Sequence, residues 1–177
     1  IYIDGQLFDE QDAKISVFDH GLLYGDGIFE GIRIYGGRLF RPHLHMARLE
    51  RGANSIQLHL PHSREEMIDI ICRVACENGF TDCDGYVRVV VTRGHGDLGL
   101  DPRACPKPTL IVIVGTIRLY PQEDYENGLA LMTAGIRRNP PDACPPQIKS
   151  LNYLNNILAK LEANRYGAKE AIFLNHQ

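Results

Sequence analysis

A chain of 177 residues with 44% hydrophobic, 23% charged and 8% aromatic residues falls among globular proteins, and this composition excludes disordered, collagen-like and fibrous chains. Its 19 Lys and Arg against 22 Asp and Glu, a formal charge of −3, lack the basic excess of a phosphate-backbone binder, so no nucleic acid is expected as a partner. No apolar run approaches the roughly 18 residues that span a bilayer, and Ile1-Tyr2-Ile3-Asp4-Gly5 is not a basic segment followed by an apolar one, so no membrane partner and a cytoplasmic location are expected.

Two tight hairpins open the chain. Ile1-Tyr2-Ile3 faces Gln6-Leu7-Phe8 across Asp4-Gly5, and Ile32-Arg33-Ile34-Tyr35 faces Arg38-Leu39-Phe40 across Gly36-Gly37. Pro42, tolerated in a first turn where its missing N–H costs nothing, opens a helix carried by Leu44, Ala47, Leu49, Ala53 and Ile56. The capping box Ser63-Arg64-Glu65-Glu66 starts a second helix, with Met67, Ile70, Ile71, Val74 and Ala75 on its apolar face and Gly79 at its close. Tyr86 to Thr92 and Thr109 to Val114 are β-branched strands, separated by the Gly- and Pro-rich loop Gly94 to Pro108, which is too long for a tight turn. A further strand is predicted from Leu129 to Ala134. Beyond the Pro-rich loop Asn139 to Pro146, a helix is predicted to begin near Ser150, with Leu151, Leu154, Ile157, Leu158 and Leu161 on one face and Gly167 just past its end. Ala171 to Leu174 starts a last strand. These elements predict an α+β protein, divided into an N-terminal domain over 1–119, a linker over 120–127 and the start of a second domain over 128–177.

The five cysteines, Cys72, Cys76, Cys83, Cys105 and Cys144, contain no Cys-x-x-Cys pair, so neither a disulfide framework nor a zinc site is signalled. Cys72 and Cys76, one helical turn apart, are expected in the core. His43 and His45 point to different sides of a helix and are expected in solvent rather than on a metal. Gly25 and Gly27 do not complete a dinucleotide fingerprint. Lys149 stands at the predicted entrance of the helix near Ser150, where the positive end of the helix dipole and partial burial would suit a nucleophilic amine. Position alone still favours a solvated loop lysine, because perturbed lysines are uncommon. Asn152, Asn155, Asn156 and Asn164 crowd the same predicted helix, although Asn is a mediocre helix former.

The segment Ile148-Lys149-Ser150-Leu151-Asn152-Tyr153-Leu154-Asn155-Asn156-Ile157-Leu158-Ala159-Lys160 resembles the lysine segment of fold type IV pyridoxal-phosphate aminotransferases. His20-Gly21-Leu22-Leu23-Tyr24-Gly25-Asp26-Gly27-Ile28-Phe29-Glu30-Gly31-Ile32-Arg33 resembles the N-terminal signature of that family, and Phe40-Arg41-Pro42-His43-Leu44-His45-Met46-Ala47-Arg48-Leu49 its next block. Tyr86-Val87-Arg88 and Arg93-Gly94-His95-Gly96-Asp97-Leu98-Gly99-Leu100 look most like the branched-chain aminotransferases within it. All four stretches occur in the family's order, and together they cover almost the entire chain.

The resemblance implies a two-domain architecture whose larger, cofactor-binding domain is only begun in this chain. It implies transamination between branched-chain L-amino acids and 2-oxoglutarate through pyridoxal 5'-phosphate, in a homodimer or higher homo-oligomer. Lys149 matches the catalytic lysine that holds the cofactor, Arg48 the arginine on its phosphate, and Tyr153 the tyrosine beside its ring oxygen; without the family Arg48 reads as a solvated helix residue. Tyr24, Phe29 and Tyr86 match aromatic residues of the substrate pocket, their alternative being ordinary sheet core. Arg88 matches the arginine that receives the distal carboxylate of glutamate, its alternative being a strand-surface charge. Leu100 lies in the loop that reaches into the neighbouring subunit's site, and Tyr120 is a weaker pocket match. No metal is implied. A D-amino-acid aminotransferase, an aminodeoxychorismate lyase or a non-catalytic homologue on the same scaffold stays open. The family's carboxylate for the pyridinium nitrogen and its later phosphate loops fall beyond Gln177, so these residues, which also lack an initiating Met, are expected to be a fragment.

Overall fold

The computed structural model describes residues 1–176. By internal packing the chain gathers into two units, Ile1–Ile117 with Ile148–Leu151, and Arg118–Gln147 with Asn152–Gln177. The last residue of the second-domain expectation, Gln177, lies outside the described residues.

In the first unit, β1 (Tyr2–Ile3) and β2 (Gln6–Leu7) form the first hairpin. Asp4 and Gly5 turn it at φ 45° and 103°, a left-handed path that Gly follows freely and Asp tolerates. A short helix, α1 (His20–Tyr24), precedes β3 (Gly27–Tyr35), which turns into β4 (Arg38–Leu39). Two helices follow, α2 (Pro42–Ser55) with Pro in its first turn and α3 (Arg64–Glu77) with both halves of the Ser63–Glu66 capping box formed. Strands β5 (Gly85–Thr92) and β6 (Thr109–Gly115) complete a six-stranded sheet in the order β2-β1-β6-β5-β3-β4.

Alternation gives this sheet two different faces. Ile28, Ile32 and Ile34, Val87, Val89 and Val91, and Leu110 and Val112 are buried together with Met46, Leu49 and Ala53 of α2 and Met67, Ile71 and Val74 of α3. The intervening residues Gly31, Arg33, Tyr86, Arg88, Val90, Ile111 and Ile113 stay partly or fully exposed. Cys72 and Cys76 are exposed on α3, not in the core as expected, and all five cysteines are free thiols. The reason is angular: Met67, Ile71 and Val74 claim the inward stripe of α3, and each of these cysteines lies one to two positions off it.

The second unit holds α4 (Gln122–Asn127), β7 (Leu131–Thr133), α5 (Leu154–Arg165) and β8 (Glu170–Ile172), with β7 and β8 paired parallel. The stretch 120–127, expected as a linker, thus contains a helix. Pro121 sets its start, Glu123 and Asp124 sit in its first turn, and the buried Asp124 is paired with Lys169 at 2.5 Å. Helix α5 starts at Leu154 and not near Ser150. The backbone of Lys149 and Leu151 is bonded to β3, and a residue extended in a ladder cannot also enter a helix. Only Ala159 and Ala163 of α5 are buried, whereas Leu154, Ile157, Leu158 and Leu161 are exposed. The asparagines have a reason in hydrogen bonding: Asn155 and Asn156 accept from Arg138 at 3.3 and 2.7 Å, and Asn155 donates to the Arg137 carbonyl at 2.9 Å. Asn152 lies ahead of the helix. Among the described residues no helix is long and apolar enough to cross a membrane.

Candidate active site

Residues 149–151 run antiparallel along an edge of β3. The Phe29 N–H donates to the Lys149 carbonyl at 3.0 Å, and the Leu151 N–H donates to the Gly27 carbonyl at 2.9 Å, with Ile28 opposite Ser150. Lys149 therefore faces Phe29, and residues opposed in a ladder send their side chains to the same face. Lys149 Nζ stands 4.3 Å from the centroid of the Phe29 ring. The guanidinium carbon of Arg88 lies 4.7 Å from the same centroid, and Arg88 Nε donates to the Tyr86 hydroxyl at 3.2 Å. Two cations thus share one aromatic ring, an arrangement whose mutual repulsion an anionic ligand relieves.

Two glycines of β3, Gly27 and Gly31, make this possible. A Cβ on Gly27 would stand 2.6 Å from Leu151 Cδ1 and 2.7 Å from the Val91 carbonyl oxygen, so only Gly lets the lysine strip approach β3. A Cβ on Gly31 would run into the Tyr86 phenol. Glycine inside a β-branched strand was the available signal, since it marks close approach.

Tyr24 and Leu100 are brought together elsewhere in the same unit. Tyr24 accepts the Gly99 N–H at 3.0 Å, and its ring meets His20 edge-on at 4.9 Å. Leu100 next to it is 82% exposed. Buried groups hold the root of this loop: Asp19 accepts from Thr92 Oγ1 at 2.7 Å, Thr92 Oγ1 accepts from the Gly94 N–H at 3.1 Å, and a ring nitrogen of His20 meets the Asp97 carbonyl at 2.8 Å. Arg93 is clamped by Asp26 at 2.8 and 3.0 Å.

Arg48 lies on the helix side of β3, bound to Glu30. Its Nε and one terminal nitrogen donate to the two carboxylate oxygens at 2.5 and 2.6 Å, and His45 Nδ1 meets the same carboxylate at 3.0 Å. The Glu30 side chain is fully buried, while that of Arg48 is 47% exposed. His45, expected in solvent, is instead half-buried on this carboxylate, whereas His43 is exposed. The correction follows from α2 crossing β3 so that residues 45 and 48, three apart, reach one strand position. Burial pushes the Glu30 carboxyl up, but hydrogen bonds and charge from Arg48 and His45 together outweigh it and hold the group below its ordinary 4.5. A carboxylate depressed in the folded state adds stability that is complete above its unfolded value and is lost as pH falls through the folded one. Thermal melting should therefore weaken on the acid side below 4.5, and Glu30→Gln should flatten that acid-side loss; an unchanged slope in the variant would contradict this role.

Tyr153 directly precedes α5 as its N-cap, in the second unit. Tyr120, also there, donates to Glu170, which pushes its phenol up to about 12. Among the described residues no cluster of His, Cys, Asp or Glu could hold a metal.

A primary amine pinned to the edge of an antiparallel sheet, with a guanidinium and a phenol beside it, is a set of groups able to engage amines and carboxylates. The family described as amino-transferase class IV matches residues 27–177, and the chain belongs to that family. It is 49% identical over 174 residues, 98% of this chain and 59% of the relative, to a Methanocaldococcus jannaschii protein provisionally named a branched-chain-amino-acid aminotransferase. It is also 39% identical to the D-alanine aminotransferase of Staphylococcus epidermidis, over 97% of this chain and 59% of that one, and 34% identical to the aminodeoxychorismate lyase of Bacillus subtilis, over 98% and 58%. The branched-chain aminotransferase of the archaeon Thermoproteus uzoniensis, solved with norvaline, superposes with a TM-score of 0.89 at 33% identity, covering 99% of this chain and 59% of that one. The α+β fold type IV architecture is thereby established, and the chain spans under two thirds of the length of these relatives.

Proposed function

We propose that this chain is the lysine-bearing part of a pyridoxal-phosphate aminotransferase that moves amino groups between branched-chain L-amino acids and 2-oxoglutarate. The observation that carries this reading is the placement of Lys149 and Arg88 on the one ring of Phe29. The donor set fits the cofactor: Lys149 offers an amine, and Arg48 lines a cavity of ≈ 360 Å³ together with Arg41, His45 and Arg51, which suits a phosphate. Lys149 would hold the cofactor, Arg48 its phosphate, and Tyr153 its ring oxygen. When bound, pyridoxal phosphate supplies an aldehyde carbon that carries the amino group and a ring that draws electrons from the substrate Cα. Lys149 Nζ is then the base that takes the Cα proton and returns it. Phe29 and Tyr86 offer apolar walls to a branched side chain, and Arg88 beside them offers the fork for the distal carboxylate of glutamate. Tyr24 would line the substrate pocket with Phe29 and Tyr86, and Leu100 sits on the exposed loop that a second copy would receive in a homodimer.

The relatives that act on D-alanine or bear a lyase name keep a second reading alive, in which the same lysine serves a D-amino-acid aminotransferase or a lyase. Arg88→Ala in the whole protein separates them. Losing a hydrogen bond to a charged group is worth about 1.5–3 kcal/mol, so kcat/KM for glutamate should fall roughly 10–100-fold further than for leucine. Equal losses for both would refute the dual-substrate pocket, and turnover of D-alanine in preference to leucine would favour the second reading.

A further inference from the structure

We propose that Glu30 is a positioning residue that presents Arg48 to the cofactor phosphate; this rests on the phosphate role given to Arg48 under the proposed function. The first observation is placement. Phe29 and Glu30 are consecutive on β3 and point to opposite faces. Phe29 carries Lys149 at 4.3 Å, and Glu30 carries Arg48 at 2.5 Å. The two cations assigned to the cofactor are thus registered against one dipeptide of β3, whose backbone is held along its length by the ladder with β5.

The second observation is the geometry of the clamp. The carboxylate takes the edge of the guanidinium formed by Nε and one terminal nitrogen, and that choice turns the opposite edge away from the strand. His45 supplies a third bond to the same carboxylate, which resists rotation of its plane. Burial is asymmetric, with Glu30 at 0% and Arg48 at 47% exposure: the carboxylate is the anchor, and the guanidinium is the part that meets a ligand. An unanchored arginine would lose much of its rotamer freedom on binding, and fixing it beforehand moves that cost from binding to folding. Charge does not cancel the effect, because three arginines, Arg41, Arg48 and Arg51, line the cavity against the single carboxylate.

A salt bridge that only stabilised the fold would affect all ligands alike, so the test compares two. The whole protein is freed of cofactor and titrated at equilibrium with pyridoxal phosphate and with pyridoxal, which lacks the phosphate, following absorbance. Glu30→Gln is expected to weaken pyridoxal phosphate about tenfold, the lower end of what outer-shell partners contribute at metal sites, and to leave pyridoxal unchanged. Arg48→Ala should show the same selectivity, and adding Glu30→Gln to it should cost nothing further. Equal losses for both ligands, or additive losses in the double variant, overturn the positioning role. If Arg48→Ala leaves pyridoxal phosphate affinity intact, the phosphate reading of Arg48 itself is wrong, whatever Glu30 does. Should Glu30→Gln fail to fold, Glu30→Asp, which keeps the charge and shortens the arm, must show the phosphate-selective loss, and a loss common to both ligands in that variant overturns the proposal.

Discussion

Replacing Lys149 by Ala is expected to leave the fold intact and abolish transamination. The strip 149–151 is held by main-chain bonds to Gly27 and Phe29, which a change of side chain does not touch. What disappears is the amine over the Phe29 ring. Loss of a proton-transfer group alone costs roughly 10²–10⁴-fold in rate, and the anchoring bond to the cofactor goes with it, so the total should exceed that range. Turnover of leucine with 2-oxoglutarate by the whole protein, and the long-wavelength absorbance of lysine-bound cofactor, are the two readouts, with circular dichroism as the check on folding. Activity or absorbance that survives in the variant would remove Lys149 from its role.

The second large effect concerns stability and lies on the other face of the same strand. Ile32 is fully buried among residues of α2 and α3, and truncating a buried Ile to Ala costs about 2–5 kcal/mol, because the removed methyl groups lose their burial and the surroundings collapse only partly into the gap. For a chain of this size that corresponds to roughly 2–4 °C of melting temperature per kcal/mol. Arg33, the next residue, faces the opposite side and contacts the Tyr35 ring at 5.4 Å; Arg33→Ala should change stability by no more than about 1 kcal/mol. Urea unfolding of both variants measures the difference. Comparable losses would mean that burial on the helix side of β3 does not set the stability of this strand.

Much of this was legible without coordinates because it is local. The Asp4-Gly5 and Gly36-Gly37 turns, the Ser63–Glu66 box, the Pro42 start and the β-branched runs of β5 and β6 all depend on residues within a few positions of one another, and each forms where expected. The order of the motifs was equally readable, and the match to the class IV aminotransferases over residues 27–177 agrees with it.

Only the tertiary structure decided where the candidate groups meet. Helical periodicity carried the last helix back to Ser150, but residues 149–151 are claimed by a strand more than a hundred positions earlier in the chain. Glu30 carries no local signal of its own, and helical spacing places His45 in solvent; both become partners of Arg48 where α2 packs across β3. The usual burial of free Cys places Cys72 and Cys76 in the core, and the Met67 stripe turns them outward. Local periodicity reports what each residue can do with its neighbours along the chain. A lysine reaching a phenylalanine, or a buried carboxylate gathering two side chains from a helix, is set by long-range pairing, whose free energy depends on burial and hydrogen-bond partners that exist only after the chain has closed on itself.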